Sequence, residues 1–307
     1  MLGLETPVER LQHMNQPAYE FYLNRNPGID LAADRLEIGV CAQHNNGGID
    51  VDLWWRSSIA GLFPVGEAAG AHGVARPGGA ALNSAQVGAT RAAQWIAARE
   101  QGAARADEGW QELAGDALQK ARSLLEAACG REESSGVLID DVLMESTRAM
   151  SDNAGLVRSR QGLEELARNV AEWRRRVVDE CVVAPTSRRS VDRLFLVRDI
   201  LDVQAVYVAA MLDHLDHGVG SRGSVLYTDP DGDLPVSWWN DGADLDVEEI
   251  FRHRLDSKAH HGVTQRVSVD AVGEAIHAHW GPVRPIPTED EFLENVWKTY
   301  RVDHNIH

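Results

Sequence analysis

Residues 61–93, "GLFPVGEAAGAHGVARPGGAALNSAQVGATRAA", set an apolar run, a glycine-studded loop and a helical pattern in immediate succession. Few folds accommodate that order. A buried strand ending at Gly66-Glu67 puts a carboxylate at the carboxyl edge of a sheet, where α/β folds bind ligands. Glu67 there can accept hydrogen bonds from ribityl or ribose hydroxyls. Gly78-Gly79 lets backbone N–H groups approach a flat ring system, because no Cβ intervenes. The helix predicted from about residue 80 to 98 then turns its positive end toward that spot. One face of this helix is made of Ala81, Ala85, Gly88, Ala89 and Ala92, so the spacing predicts a very close neighbour. Glycine-rich strand–loop–helix turns also occur as plain packing units. The residues alone leave cofactor binding and packing equally open.

The stretch stands without a preceding G-x-G-x-x-G, the phosphate-binding opening of a dinucleotide fold. Residues 1–34 carry two short helical patterns broken by Pro17 and Pro27. "RLEIGVCA", residues 35–42, alternates and then runs apolar, as a strand entering a buried sheet does. "NNGGID" follows as a turn, since Asn and Gly tolerate positive φ. From residue 106 the period becomes helical, in segments near 106–129, 137–152, 161–181 and 188–217. In the last, Val191, Leu194, Leu201, Val208 and Leu212 form one stripe, widened by Phe195, Val197 and Val206. This predicts an antiparallel helical bundle. After Gly223 the chain reads as aperiodic: a loop at "WWNDGADLD", a short helix at "VEEIFRHRL", and a proline-rich stretch leading into a final helix. The expected fold class is α/β plus α. Its parts are an N-terminal helical segment (1–34), a strand–loop–helix segment (35–104) that the resemblance described below identifies with the C-terminal part of a Rossmann-like FAD-binding domain, a helical bundle (105–225) and an irregular extension (226–307).

Charge narrows the function. With 47 acidic and 30 basic residues among 307, the formal net charge is −17. Nucleic acid and anionic lipid surfaces require basic faces, so both are excluded as partners. No apolar run is long enough to span a bilayer, and the N-terminus lacks the basic start and apolar stretch of a signal peptide, so a cytoplasmic location is expected. Cys41, Cys129 and Cys181 lie far apart with no C-x-x-C, which argues against a disulfide framework or a thiolate metal site. "KAHHG" and "HAHW" raise a metal site, but no carboxylate or cysteine accompanies them at ligand spacing, and no metal is expected. Of the nine tryptophans, the adjacent pair Trp54-Trp55 precedes the glycine loop and reads as packing.

Four stretches together carry a resemblance to a known family. "GLFPVGEAAGAHGVARPGGAALNSAQVGATRAA" resembles the C-terminal flavin-binding signature of the fumarate reductase, succinate dehydrogenase and L-aspartate oxidase flavoproteins. That signature runs G-L-[FY]-x-x-G-E, then H-G-x-x-R-x-G-G, then a helix. "CAQHNNGGID" resembles the family's H-x-x-x-G-G-I turn. "LMESTRAMSDNAGLVRSRQGLEEL" resembles its D-N-x-G-x-x-R stretch, and "HLDHGVGSRGS" resembles the S-R-G segment ending its long helix. The four occur in the family's order and cover roughly residues 35–225.

The resemblance implies FAD as cofactor and hydride transfer between flavin and a small substrate bearing a carboxylate or carbonyl. It implies that Gly66 and Glu67 hold the sugar-like part of the flavin. The backbone of Gly78, Gly79, Ala80, Ala81 and Leu82 would face the pyrimidine edge of the ring. Arg76 aligns with the arginine that grips a substrate carboxylate, a task suited to a bidentate, always-charged guanidinium, and His72 precedes it at the matching spacing. The family's substrate-binding histidine falls at Gln43, with His44 one place later. Either His44 takes that role through a small shift, or the substrate is not a simple dicarboxylate, with His44 or Gln43 binding it or assisting proton transfer. The family's Asn-Ser after the glycine pair is Ala80-Ala81 here, leaving Asn83 or Ser84 to replace those contacts. Asp152 and Asn153 are expected to cap or link helices, and Ser221-Arg222-Gly223 to tie the bundle to the flavin segment.

The family's ADP-binding motif and capping domain have no counterpart in this sequence. The expectation is a split flavoenzyme whose second chain carries them, this chain being one natural component of a heteromeric complex. Two other readings stay open: a non-catalytic structural or regulatory half, and an electron-transfer module docking an iron–sulfur partner through residues 226–307.

Overall fold

A computed structural model of the chain describes residues 5–35, 46–73, 76, 79–99, 109–132, 136–183, 188–223, 225–236, 246–270, 275–283 and 288–303. The chain forms two compact units, Met1–Asn45 and Asn46–His307. The first holds helices α1 (Pro7–Met14) and α2 (Gln16–Arg25). Thr6 caps α1 in a capping box with Glu9, which satisfies two N–H groups that the helix cannot. The two helices part at Asn15, just before the expected break at Pro17. Pro17 occupies the first turn of α2 beside Gln16, where its missing N–H costs nothing. The predicted strand 35–42, Cys41 included, lies outside the described residues, apart from Arg35.

In the second unit the bundle is clear. Helix α3 (Ala80–Arg99) precedes it and packs on the Gly66–Ala68 turn, while α4 (Trp110–Gly130), α5 (Ile139–Ala154), α6 (Arg160–Asp179) and α7 (Arg188–Asp216) match the predicted periodic segments closely. Short strands punctuate them: β1 (Val137–Leu138), β2 (Val157–Arg158) and β3 (Cys181–Val182). The core lies among α5, α6 and α7. Val142, Leu163, Leu166, Val170, Leu194, Val197, Leu201 and Val208 are fully or almost fully buried there. Each such side chain contributes roughly 1.5–3 kcal/mol by leaving water. Val191 and Leu212 sit at the margin of this core, and Cys181 is inside it. Burial raises the Cys181 thiol to about 11, so it stays a packed thiol.

The region after Gly223 is not irregular, and this corrects the sequence reading. Strand β4 (Leu226–Asp233) pairs in parallel with β2, while β5 (Val263–Val269) and β6 (Ile276–Pro282) form an antiparallel hairpin. Helix α8 (Phe292–Asp303) is the expected final helix. The short helix expected at "VEEIFRHRL" reduces to one 3₁₀ turn, Glu249–Phe251. Most of "WWNDGADLD" lies outside the described residues.

Residues 61–66 do not form the expected strand either. Residues 57–62 close a turn through Ser57 N–H to the Leu62 carbonyl (3.0 Å), and 62–65 run on without a ladder. Gly66–Ala68 then form a 3₁₀ turn. A buried parallel strand needs neighbours on both edges. The described residues hold one parallel bridge for this segment, Ile49 to Ala69.

Candidate functional site

The glycine loop is built by three close approaches that side chains would prevent. Ile49 N–H donates to the Ala68 carbonyl and Gly70 N–H to the Ile49 carbonyl, both at 2.9 Å. These two bonds dock Gly47–Ile49 onto the G-E-A-A-G segment. A Cβ on Gly48 would stand 2.6 Å from the Ala68 oxygen and 2.9 Å from Gly70 N. Gly66, at φ +65°, would place a Cβ 3.3 Å from that of Ala85 on α3. Gly88, further along α3, lies under the indole of Trp55, 2.5 Å from where its Cβ would be. The small-residue face of α3 thus has its predicted close neighbours. They are the 3₁₀ turn and Trp55, along a seam of Ala81, Ala85, Gly88 and Ala92. Ala89, assigned to that face, is exposed instead.

Trp54 and Trp55 pack as read from the sequence. Trp54 is buried against Trp95, ring centres 5.6 Å apart, with Arg91 stacked 4.1 Å over its ring and donating to the Leu53 carbonyl at 2.8 Å. Trp55 takes the left-handed conformation (φ +58°), which turns its indole onto Gly88.

At the head of this assembly sits the N-terminus of α3. Gly79, at φ +81° and with open space where a Cβ would be, turns the chain into Ala80. Asn83 N–H reaches the Gly79 carbonyl at 3.4 Å, closing the first turn. That turn contains no acidic residue, so its N–H groups keep their partial positive charge. Gly79, Leu82 and Asn83 are exposed, and Ala80 and Ala81 half-buried.

The structure therefore brings Gly66, Glu67, Gly79, Ala80, Ala81, Leu82 and Asn83 into one contiguous segment about the start of α3. Glu67 is exposed on the 3₁₀ turn. His72 and Arg76 are half-buried in the loop leading to it, and both interact within the chain. Gly78, Gln43 and His44 lie outside the described residues. This donor set fits a flat, polar-edged ring: N–H groups at a helix start, a glycine entry, and no side chain projecting from Gly79.

Among the described residues, the contacts of the S-R-G segment run to β4 and residues 254–256. Ser221 is buried; its Oγ accepts from Tyr227 N–H at 2.8 Å, and its own backbone bonds Arg254 and Asp256. Arg222 pairs with Asp256 at 3.5 Å. The motif therefore anchors β4 and residues 254–256. Asn153 donates to the Ala149 carbonyl in the last turn of α5 and Asp152 faces Arg148, a helix-end role as expected. Among the described residues no group of three or more His, Cys, Asp or Glu could hold a metal ion, and no helix is long and apolar enough to cross a membrane.

Sequence reasoning misses one ion pair. Arg266 on β5 meets Asp50, the last residue of "NNGGID", at 3.0 Å. Asp50 stands in a recognisable motif, but its partner lies in a hairpin whose sequence reads as irregular chain.

Comparison with known proteins bears on the fold. No family model matches the chain. It is 31% identical over 138 residues to a fumarate reductase (CoM/CoB) subunit from Methanothermobacter marburgensis, a match covering 45% of this chain and 24% of that protein. A point mutant of FrdA from E. coli quinol fumarate reductase superposes with a TM-score of 0.68 at 20% identity, over 93% of this chain and 44% of that one. Mycobacterium smegmatis Sdh1, in an apo complex, gives 0.61 at 20% identity over 99% and 47%. The chain spans about a quarter of the curated relative it matches and under half of each of these solved chains. By sequence and by fold, it is similar to part of the flavoprotein subunit of fumarate reductases and succinate dehydrogenases.

Proposed function

We propose that this chain supplies the ring side of an FAD site and works as one part of a cytoplasmic FAD-dependent oxidoreductase. The observation that carries this reading is the docking of Gly47–Ile49 onto G-E-A-A-G beside an open α3 N-terminus. When bound, FAD would accept or donate the hydride. The protein's share is to position and to polarise. The first-turn N–H groups of α3 and the entry at Gly78-Gly79 would hold the polar edge of the ring, Glu67 its hydroxylated chain, and Asn83 a further polar contact. Arg76 would orient a substrate carboxylate as a two-pronged cation. His72 and either His44 or Gln43 would bind the substrate or move its proton. The substrate class is a small carboxylate- or carbonyl-bearing molecule.

The proposal includes a second chain carrying the ADP-binding half. Within residues 49–87, Ile49, Leu53, Ile59, Leu62, Leu82 and Val87 are all at least 40% exposed. Apolar side chains gathered so densely on one short segment are suited to burial against a partner. The fold these residues share continues, in its solved examples, for more than as long again.

Expression of the chain and identification of what co-purifies tests both parts. The expected result is a yellow complex with the visible absorbance of an enzyme-held flavin. A flavin-loaded, soluble monomer would remove the split-chain part. A stable complex without flavin would favour a non-catalytic half, the reading that Ala80-Ala81 in place of Asn-Ser supports.

A further inference from the structure

The β5–β6 hairpin faces two ways at adjacent residues. Side chains alternate across a strand, so Gln265 and Arg266 leave β5 on opposite sides. Gln265 turns to α7, where its Nε2 donates to Asp213 Oδ2 at 2.6 Å and to the Ala210 carbonyl at 2.9 Å. Its cross-strand partner Trp280 donates to the same Asp213 oxygen at 2.8 Å, so one rung of the hairpin delivers two N–H groups to one carboxylate. The Trp280 ring also contacts His217 (4.9 Å between centres) and His260 (5.7 Å). Arg266 turns the other way and meets Asp50 at 3.0 Å. Gly281 on β6 lies beside it, 3.5 Å from the guanidinium to where a Cβ would stand, an ordinary contact distance.

We propose that the hairpin is a strut holding the Gly47–Asp50 turn at a set position relative to the C-terminal end of α7, with Asp213, Trp280 and Arg266 as positioning residues. The turn it holds is the one whose two 2.9 Å bonds dock it beside the start of α3. The importance of the strut for a cofactor rests on the flavin reading; its existence does not. The contact at the α7 end is part-buried and charge-assisted, so it is the firm end. The contact at Asp50 is exposed and weaker, so it sets where the turn rests without gluing the unit together.

Hydrogen exchange on the full chain without cofactor tests this, read at the amides of Ile49 and Gly70. Arg266→Glu and Asp50→Arg should each speed exchange at both amides about two- to five-fold, the range set by an exposed ion pair. The double charge swap should restore the original rates. Trp280→Phe, which removes one donor to Asp213, should act in the same direction. The buried turn of α7 around Leu201 should keep its rate in every variant. Unchanged rates in the single variants, failure of the double swap to restore them, or equal acceleration around Leu201 would each overturn the strut. None of these outcomes depends on flavin, so a failed strut leaves the flavin reading standing, and a colourless complex leaves the strut standing.

Discussion

Replacing Ser221 by Ala removes a single oxygen and should measurably weaken the Asn46–His307 unit. Ser221 is 4% exposed, and its Oγ is the acceptor for Tyr227 N–H at 2.8 Å, with a second contact to the Tyr227 carbonyl at 3.2 Å. Tyr227 is itself buried, so water does not stand ready to replace the hydroxyl. The variant keeps the Cβ and opens almost no cavity, which isolates the polar effect. A buried N–H left without an acceptor costs about 1–3 kcal/mol. At an m-value of about 3 kcal/mol/M in urea, that shifts the unfolding midpoint down by about 0.3–1 M with the slope unchanged. Ser268→Ala, on the exposed hairpin, should stay within about 0.5 kcal/mol of the parent. A midpoint shift for Ser221→Ala under about 0.1 M would refute the claim that this hydroxyl is the amide's essential partner.

Gly48→Ala puts a methyl 2.6 Å from the Ala68 oxygen, a backbone atom that cannot rotate away. The turn should separate from Gly70, costing about 1–3 kcal/mol locally by overpacking, seen as faster exchange at Ile49 with α7 unaffected. Leu201→Ala, at a fully buried site, should cost about 2–5 kcal/mol in chemical denaturation. Burial holds the His214 imidazole below its ordinary range, aided by the charges of Arg222 and Arg158 against an opposing contact to the Gly220 carbonyl (3.1 Å). The unfolded chain therefore binds this proton more readily, and the stability contributed by neutral His214 is present above the ordinary histidine range and lost as pH falls through it. Stability measured from pH ~7.5 down to ~5.5 should fall less steeply in His214→Gln than in the parent; parallel slopes would contradict this.

The helices are legible because each carries a 3.6-residue stripe that the core then buries, as Leu194, Leu201 and Val208 do on α7. Gly88 is legible as a point of close approach, though not what approaches it, whereas Gly48 and Gly66 read only as turn and strand-end residues and their close neighbours come from the structure. Ala89 is easily misassigned because a run of small residues around the helix has no apolar contrast to mark its inner face. Residues 61–66 have the composition of a strand, but a strand is defined by its neighbours, and composition does not report them. The hairpin escapes notice although "VTQRVSV" and "IHAHWGP" both alternate. In "IHAHWGP" the histidines draw attention as ligands, when they occupy the outward positions between Ile276, Ala278 and Trp280. Strand β4, "LYTDPDGD", carries residues that disfavour strands and gives no local sign of pairing. The Asp50–Arg266 pair joins residues far apart in sequence, which no local pattern encodes.

The wide sequence separation of that pair has a consequence during synthesis. Arg266 follows Asp50 by 216 positions (266 minus 50). At a translation rate of about 5–20 residues per second, the glycine turn leaves the ribosome roughly 10–40 s before its strut exists. Throughout that interval Ile49, Leu53, Ile59 and Leu62 are already made and have nothing from the hairpin to steady the turn beside them. The nascent chain is then most exposed to wrong association along residues 49–62. Slowing translation after residue 99 should raise the aggregated fraction.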